Sequence, residues 1–201
     1  MPRFNFFTHL GLLFVKDFLD GEMCAALRSE MSSLSSSPAT VGGTTDEIVN
    51  EDVRRASWVK VPSQTKLLVK DRLLDLQPRL ERHFKIALKG FEKPQFLVYR
   101  VGCFYTQHQD SSGDSEAIEY FRERKVSIVI FLNDESDEPA EQFYGGGQLT
   151  FYGLMEDPLW KRCGLPLIGE QGLMVAFHSD VVHEVTAVTH GARYTIVTWF
   201  F

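Results

Sequence analysis

Residues 105–110 read YTQHQD, and a further histidine follows in the later segment 181–185, VVHEV. We interpret His108, Asp110 and His183 as three ligands of one metal ion. In a β-strand, residues i and i+2 point to the same face, so His108 and Asp110 can bind one ion together. The third ligand has to come from another strand, and a long separation before His183 is therefore expected. Two imidazoles and one carboxylate on one face of an ion suit non-haem Fe(II).

A second His-x-Asp pair, His178 and Asp180, competes with this interpretation. A lone histidine is more often a structural or surface residue than a ligand. Apart from His183, the rival pair has only His190 as a later histidine, and a turn follows the pair almost at once. The first pair is accompanied by residues that the second lacks, namely Tyr99, Gly102, Gly146-Gly147 and Arg193. We therefore prefer the set that contains His108.

The bulk composition is that of a globular protein. The 201 residues contain 44% hydrophobic and 24% charged residues, and the length predicts one domain over residues 1–201. The formal net charge of −6 argues against a general nucleic-acid-binding protein, which usually has a basic face. Oligomeric state cannot be read from these numbers.

The three cysteines, Cys24, Cys103 and Cys163, are odd in number and far apart. They predict reduced thiols in a cytoplasmic protein. No segment has the roughly 18 apolar residues of a membrane span. The short apolar run Leu10–Val15 is followed by Lys16-Asp17, which does not fit a signal peptide.

The first part of the chain, about residues 1–90, is predicted to be largely helical. Apolar residues from Met23 to Leu34 recur at helical spacing behind a possible N-cap, Asp20. A second helical region spans Lys66–Lys89, where Pro78 should separate two helices or kink one. The segment Phe4–Val15 favours one or two entry strands, and the Ser-rich segment Ser32–Gly43 favours a loop.

Residues 50–62 are expected to form a loop and then a strand. The two adjacent arginines Arg54 and Arg55 lie there. They could face a substrate, although a solvated sheet edge is the more common explanation for such residues.

The second part, about residues 91–201, is predicted to be a series of short strands. Such a series indicates a β-sandwich or barrel, and helices that precede it suggest packing on one outer face. The predicted strands are 96–99, 126–132, 147–152, 173–177, 181–187 and 194–201. The loops Ser111–Arg124 and Asn133–Gly145 could border a substrate site, and either is a candidate lid. For the acidic residues of the second loop, a solvated turn is the common alternative.

The segment Tyr99–Asp110, YRVGCFYTQHQD, resembles the strand that enters the active site of prolyl 4-hydroxylase-type oxygenases, which use Fe(II) and 2-oxoglutarate. The family pattern has Tyr, then Gly three residues later, then Tyr, then His-x-Asp, and all of these match. Val101 stands where the family often has Pro. Further resemblance covers the central hairpin and the closing strands, in residues 131–133, 146–151, 172–177, 183–185 and 191–194.

The resemblance implies a double-stranded β-helix, a mainly β jelly roll of the cupin-like type, with the N-terminal helices packed on one face. It also implies Fe(II), 2-oxoglutarate and O2, with ascorbate as a further cofactor. In that scheme His108, Asp110 and His183 hold the metal, and Arg193 binds the far carboxylate of 2-oxoglutarate through its planar fork. A turn at Val188–Gly191 would make the strands of His183 and Arg193 antiparallel neighbours.

Two aromatic residues complete the expected cofactor site. Trp199 matches a family tryptophan near the cosubstrate. Tyr99 could donate its hydroxyl to the cosubstrate, or it is a half-buried strand tyrosine. Phe131 departs from relatives that have a tyrosine there, whose hydroxyl helps to hold 2-oxoglutarate.

The expected activity is hydroxylation of an unactivated C–H bond, with succinate and carbon dioxide as coproducts. A prolyl residue in a peptide or protein is the family's usual substrate, and a free amino acid or small metabolite is the alternative. Two other classes of function remain: a non-catalytic metal-binding jelly-roll sensor, and a hydrolase in which the same ligands activate water. Neither needs Arg193 or Tyr99.

Overall fold

Two facing β-sheets flanked by helices make up the chain. The computed structural model describes residues 3–42, 47–111, 119–155 and 162–201. The helices within these residues are α1 Arg3–His9, α2 Gly21–Ser33, α3 Ser63–Phe84 and α4 Glu119–Glu123. The strands are β1 Leu13–Val15, β2 Ser36–Pro38, β3 Val41–Gly42, β4 Glu47–Ile48, β5 Arg54–Arg55, β6 Ser57–Val59, β7 Gln95–Arg100, β8 Phe104–His108, β9 Val126–Phe131, β10 Tyr144–Gly146, β11 Leu149–Tyr152, β12 Leu165–Leu167, β13 Met174–His178, β14 Val182–Val185 and β15 Val188–Phe200.

The larger sheet has the strand order β1-β13-β9-β15-β7-β6-β2, and β10 pairs with β15 beside this path. Strand β9, which lies between β13 and β15, is buried at all six positions. A run of β-branched residues fits a strand that is covered on both faces. One of these faces packs against helices and the other against the second sheet.

The smaller sheet has the order β12-β11-β14-β8-β5. All its pairings are antiparallel. A core between the two sheets is formed by side chains of both, among them Phe151 from the smaller sheet and Phe131 and Phe177 from the larger. The fold prediction of a jelly roll with a helical outer layer agrees with this arrangement.

Helices α2 and α3 lie on the outer face of the larger sheet. Asp20 caps α2 by accepting a hydrogen bond from the Met23 N–H at 2.8 Å, as the sequence indicated. Helix α3 runs through Pro78 without interruption, so the expected division there is wrong. An interior proline costs about 3 kcal/mol. A fully buried Leu or Phe contributes roughly 1.5–3 kcal/mol, and α3 buries five such apolar side chains: Val69, Leu73, Leu76, Leu80 and Phe84.

Three other local expectations are corrected. Residues 3–9 form α1 instead of a strand, and Phe7 packs against Phe14 of β1 at 4.8 Å between ring centroids. The Ser-rich segment contains the edge strand β2, because the free edge of β6 offers backbone partners to Ser36–Pro38. The turn expected at Val188–Gly191 is absent, since those residues belong to β15. Consequently β14 lies in the smaller sheet and β15 in the larger, and they are not neighbours.

Of the two candidate lid loops, half of the first falls on residues 112–118, which lie outside the described residues. The second is tied to β15 at its start. The Asn133 amide donates to the Ala192 carbonyl at 2.9 Å and accepts from the Tyr194 N–H at 3.0 Å. Its role as a lid stays a prediction.

Among the described residues, no helix is both long and apolar enough to cross a membrane.

Candidate active site

His108, Asp110 and His183 come together where the neighbouring strands β8 and β14 of the smaller sheet meet the cavity. His108 ends β8, Asp110 follows two residues later, and the β8–β14 register places His183 directly opposite His108. One ligand atom from each residue lies within 4.8 Å of the others. The structure therefore brings together all three residues that were predicted to bind metal.

Both imidazoles are held with Nε2 toward the cluster. The Nδ1 atom of His108 lies 2.8 Å from the Thr106 carbonyl oxygen, and that of His183 lies 2.9 Å from the Val181 carbonyl oxygen. Since a carbonyl only accepts, each Nδ1 carries the proton and each Nε2 has a free lone pair. These Nε2 atoms lie 3.7 Å and 3.5 Å from the two carboxylate oxygens of Asp110.

The Asp110 carboxylate is oriented by residues of the larger sheet. The Ser127 hydroxyl donates to Oδ2 at 2.7 Å and lies 3.0 Å from the Ser179 hydroxyl. The Trp199 indole N–H also donates to this carboxylate. Burial acts to raise the pKa of Asp110, but the two imidazoles and these two donors outweigh it and lower the pKa.

The protonation states fit a metal site. Burial, assisted by the neighbouring His183, lowers the pKa of His108 to about 3, so its imidazole is neutral at physiological pH. Neutral imidazole and ionised carboxylate are the forms that bind metal. This donor set, with hydrogen bonds that hold each of the three side chains in place, matches the two-histidine, one-carboxylate site of non-haem iron proteins.

The rival pair has a different environment. The His178 ring packs edge-on against Phe84 of α3, at 4.8 Å between centroids. Asp180 contributes its backbone carbonyl, which accepts from the Gln109 amide at 2.5 Å. Within the described ranges, the cluster of His108, Asp110 and His183 is the only group of three potential metal-binding side chains.

Arg193 lies in the same cavity as the three ligands. It is 1% exposed, and its guanidinium carbon lies 5.1 Å from the Tyr99 ring centre and 5.0 Å from that of Phe131. Its Nη1 donates to the Thr195 hydroxyl at 3.2 Å, whereas Nε and Nη2 have no hydrogen-bond partner among the described residues. A buried cation with unsatisfied donors is suited to binding an anion.

The sequence did not point to Tyr144, which lies beside Arg193. Its side chain is fully buried, and its hydroxyl makes no well-aligned hydrogen bond within the part of the chain that the structure describes, although the Arg193 guanidinium lies close enough to interact with it. Burial raises the pKa of Tyr144 to about 12, against the opposing effect of the Arg193 charge, so the phenol remains a donor. A Cβ added at Gly169 would lie 2.0 Å from this hydroxyl and 2.8 Å from the ring of Phe131. Tyr144 therefore places a phenol hydroxyl next to Arg193, where Phe131 has none.

The glycines after Tyr144 let the chain pass close to Arg193. Gly147 has a positive φ of 60°, and a Cβ there would lie 3.1 Å from Arg193 Cδ and 2.8 Å from Val188 Cγ2. A side chain at this position would be strained and would displace the arginine. The sequence signal for this region was the pair Gly146-Gly147, which was counted in support of the His108 set and compared with the family's central hairpin, without a contact to Arg193.

The other two predicted site residues have distinct positions. Tyr99 is buried and lines the cavity as the cross-strand partner of Arg193. Trp199 also lines the cavity, where it contacts Asp110 on one side. Its ring is covered by the Arg124 guanidinium at 3.7 Å. Arg124, another residue that the sequence did not single out, is held by Glu92 through two hydrogen bonds of 2.5 and 2.7 Å.

Two curated relatives are PKHD-type hydroxylases. One, from Picosynechococcus sp., is 32% identical over 104 residues, which are 52% of this chain and 39% of that protein. The other, from Rippkaea orientalis, is 25% identical over 181 residues, which are 86% of this chain and 72% of that protein. The chain thus spans well under half of the first relative's length.

Solved structures with the same fold include prolyl hydroxylases. A Pseudomonas putida prolyl-4-hydroxylase superposes with a TM-score of 0.67 at 24% identity, over 94% of this chain and 91% of that one. A Trichoplax adhaerens prolyl hydroxylase, solved with a peptide of hypoxia inducible factor, gives 0.68 at 17% identity, over 95% and 83%. These likenesses confirm the predicted jelly-roll fold. Residues 94–201, more than half of the chain, match the model of the 2OG-Fe(II) oxygenase superfamily, and the chain belongs to that superfamily.

Proposed function

We propose that this protein is an Fe(II)- and 2-oxoglutarate-dependent dioxygenase that hydroxylates a prolyl residue in a peptide or protein, releasing succinate and carbon dioxide. The observation that carries the proposal is the set of residues that line one cavity. The three metal-binding side chains and the buried Arg193 with its unsatisfied donors line it together.

The metal would be held by His108 Nε2, His183 Nε2 and a carboxylate oxygen of Asp110. When bound, Fe(II) supplies positions for 2-oxoglutarate and O2 and the oxidising chemistry between them. Ser127 and Trp199 keep the Asp110 carboxylate oriented and ionised through their hydrogen bonds. They act as positioning residues.

The far carboxylate of 2-oxoglutarate would bind to Arg193. Its Nε and Nη2 can form the two parallel hydrogen bonds of an arginine–carboxylate pair. The Tyr144 hydroxyl supplies a further donor beside it. Tyr99, against the guanidinium, forms part of the cosubstrate wall.

The prolyl substrate is supported by relatives. The Pseudomonas putida protein is a prolyl-4-hydroxylase, and the Trichoplax adhaerens enzyme was solved with a peptide fragment. Ascorbate is proposed as the reductant that keeps the iron as Fe(II). A cytoplasmic location is supported by the thiols of Cys24 and Cys103, neither of which is in a disulfide.

Turnover with defined peptides tests the function. The purified protein would be incubated with Fe(II), ascorbate, 2-oxoglutarate and proline-containing peptides, and both succinate and a peptide mass gain of one oxygen would be measured. Asp110→Ala should abolish both signals, and His178→Ala is the matched control that should keep them. Metal binding without any succinate in the parent would favour the sensor. Hydrolysed products without 2-oxoglutarate consumption would favour the hydrolase.

A further inference from the structure

Arg54 is a second buried arginine in the wall of the cavity. Arg54 lies on β5, opposite Tyr105 of β8, and is 7% exposed. Its Nη1 donates to the Thr40 carbonyl at 2.7 Å. Its Nε is enclosed and has no hydrogen-bond partner among the described residues. Arg54 therefore lines the cavity with a donor, Nε, that no described protein group satisfies.

Arg54 also has no acidic partner among the described residues. Three arginines are buried in the described part of the chain: Arg54, Arg124 and Arg193. Arg124 is paired with Glu92, and Arg193 is assigned above to the cosubstrate. No carboxylate of the described residues lies within 4.0 Å of the Arg54 guanidinium. An unpaired buried charge is unfavourable, and its presence in a cavity points to an anionic ligand.

Arg54 lies close to the metal-binding side chains but apart from Arg193. Its guanidinium lies 4.8 Å from the Tyr105 ring centre, and that ring stacks on the His108 imidazole at 3.5 Å with 16° between planes. One aromatic ring thus lies between the Arg54 charge and a metal ligand. The guanidinium of Arg193 instead lies over the rings of Tyr99 and Phe131, which belong to the larger sheet.

We propose that Arg54 binds a carboxylate of the primary substrate, so that the oxidised C–H bond lies within about one residue of that carboxylate. The class of substrate is an amino acid with a free carboxylate, or a peptide whose acidic group is adjacent to the hydroxylated residue. The inference rests on the proposed function for the oxidation itself. With Nη1 bound to Thr40, Nε is the donor that remains for the ligand.

Matched acid and amide substrates test the inference. The pairs are L-proline with prolinamide, a peptide ending in proline with its C-terminal amide, and an internal prolyl peptide with a neighbouring Asp or Asn. For each pair the ratio of kcat/KM for acid over amide is measured from the gain of one oxygen. These arms separate a free amino acid, a C-terminal carboxylate and an acidic side chain as the source of the anion.

The parent should prefer the acid in at least one pair by about tenfold to a hundredfold, the range for a lost hydrogen-bonded charge contact. Arg54→Gln should reduce this preference to within about threefold, the scatter of a neutral substitution. Arg54→Lys, which keeps the charge without the fork, should retain part of it. Arg55→Gln is the matched control: Arg55 is exposed, next to Phe104, and its removal should leave the preference unchanged.

Anaerobic titration with 2-oxoglutarate separates this inference from the proposed function. A parent that does not bind 2-oxoglutarate would overturn the proposed function. A parent that binds it but treats every acid and amide alike would overturn the role of Arg54 alone. The role of Arg54 would also be overturned if Arg54→Gln kept the preference for the acid. A third outcome against it is that Arg54→Gln weakens 2-oxoglutarate binding as much as a substitution of Arg193 does, because Arg54 would then bind the cosubstrate.

Discussion

Arg193 and Tyr99 are cross-strand partners in the larger sheet, and the guanidinium carbon lies 5.1 Å from the centre of the tyrosine ring. His183 and His108 form the corresponding pair in the smaller sheet. The anion site and the metal ligands therefore lie on opposite walls of one cavity, each on paired strands. A dicarboxylate that binds both has to bridge the two sheets, and rigid strands hold both ends.

The first prediction concerns the metal ligands. Replacement of any one of His108, Asp110 or His183 by alanine should weaken Fe(II) binding more than roughly 10- to 100-fold. That range is the loss of affinity expected when a residue that only hydrogen-bonds to a metal ligand is removed. Anaerobic calorimetry with Fe(II) measures this. His178→Ala should bind Fe(II) like the parent, because its ring packs against Phe84 outside the cluster. The opposite pattern, full affinity in the His108 variant and loss in the His178 variant, would contradict the assignment.

The second prediction concerns Ser127. Ser127→Ala removes the 2.7 Å hydrogen bond to Asp110, and metal affinity should fall by roughly 10- to 100-fold. Ser179→Ala is the control, since its hydroxyl contacts that of Ser127 and no metal ligand directly. It should change affinity by no more than about threefold. Equal affinity in the parent and the Ser127 variant would show that Trp199 alone orients the carboxylate.

Local periodicity predicted much of the fold because burial is a local property of a strand or helix. The run 126–132 is apolar at nearly every position, and β9 is buried on both faces. The three candidate ligands were recognised for a similar reason, since the alternation of side chains along a strand predicted that His108 and Asp110 lie together, as they do. The choice of sheet for each strand depends on long-range pairing, which is why Val188–Gly191 was mistaken for a turn. Tyr144 was missed because only its pairing with Gly191 brings it to Arg193.

The third prediction concerns the Tyr144 hydroxyl. Tyr144→Phe keeps the buried ring, and because the hydroxyl makes no well-aligned hydrogen bond to a described residue, the free energy of unfolding should fall by no more than about 0.5 kcal/mol. The affinity for 2-oxoglutarate should fall about tenfold or more, because a hydrogen bond to a charged group contributes roughly 1.5–3 kcal/mol. Tyr152→Phe is the control, as that hydroxyl donates to Glu184 at 2.6 Å. Equal losses in both variants would count against a specific role for Tyr144.

The fourth prediction concerns Gly169. Its φ is not positive, so alanine is compatible with the backbone, but the added methyl would meet Tyr144 and Phe131. Gly169→Ala should lower the free energy of unfolding by about 1–3 kcal/mol, as expected for an overpacked core. Gly90→Ala, whose Cβ would have an ordinary 3.4 Å contact, should change it by less than about 0.5 kcal/mol. In a Tyr144→Phe background the cost of Gly169→Ala should shrink, and additive effects in this cycle would contradict the contact.

The last prediction concerns Arg193 itself. Arg193→Met keeps a long side chain but removes the charge and the two unsatisfied donors, Nε and Nη2. Loss of one partner of a buried charge pair costs roughly 2–5 kcal/mol, or about thirtyfold to several thousandfold in 2-oxoglutarate affinity. Fe(II) binding should persist, because the three ligands lie on other strands. An anaerobic titration of the Fe(II) protein, followed by the metal-to-ligand absorption band, measures the affinity for 2-oxoglutarate, and anaerobic calorimetry measures Fe(II) binding. Arg100→Met is the matched control, since Arg100 is an exposed residue at the end of β7, and it should change the affinity by less than about threefold. If Arg193→Met binds 2-oxoglutarate as tightly as the parent, the carboxylate is anchored elsewhere in the cavity, and the unsatisfied donors of Arg193 need another ligand.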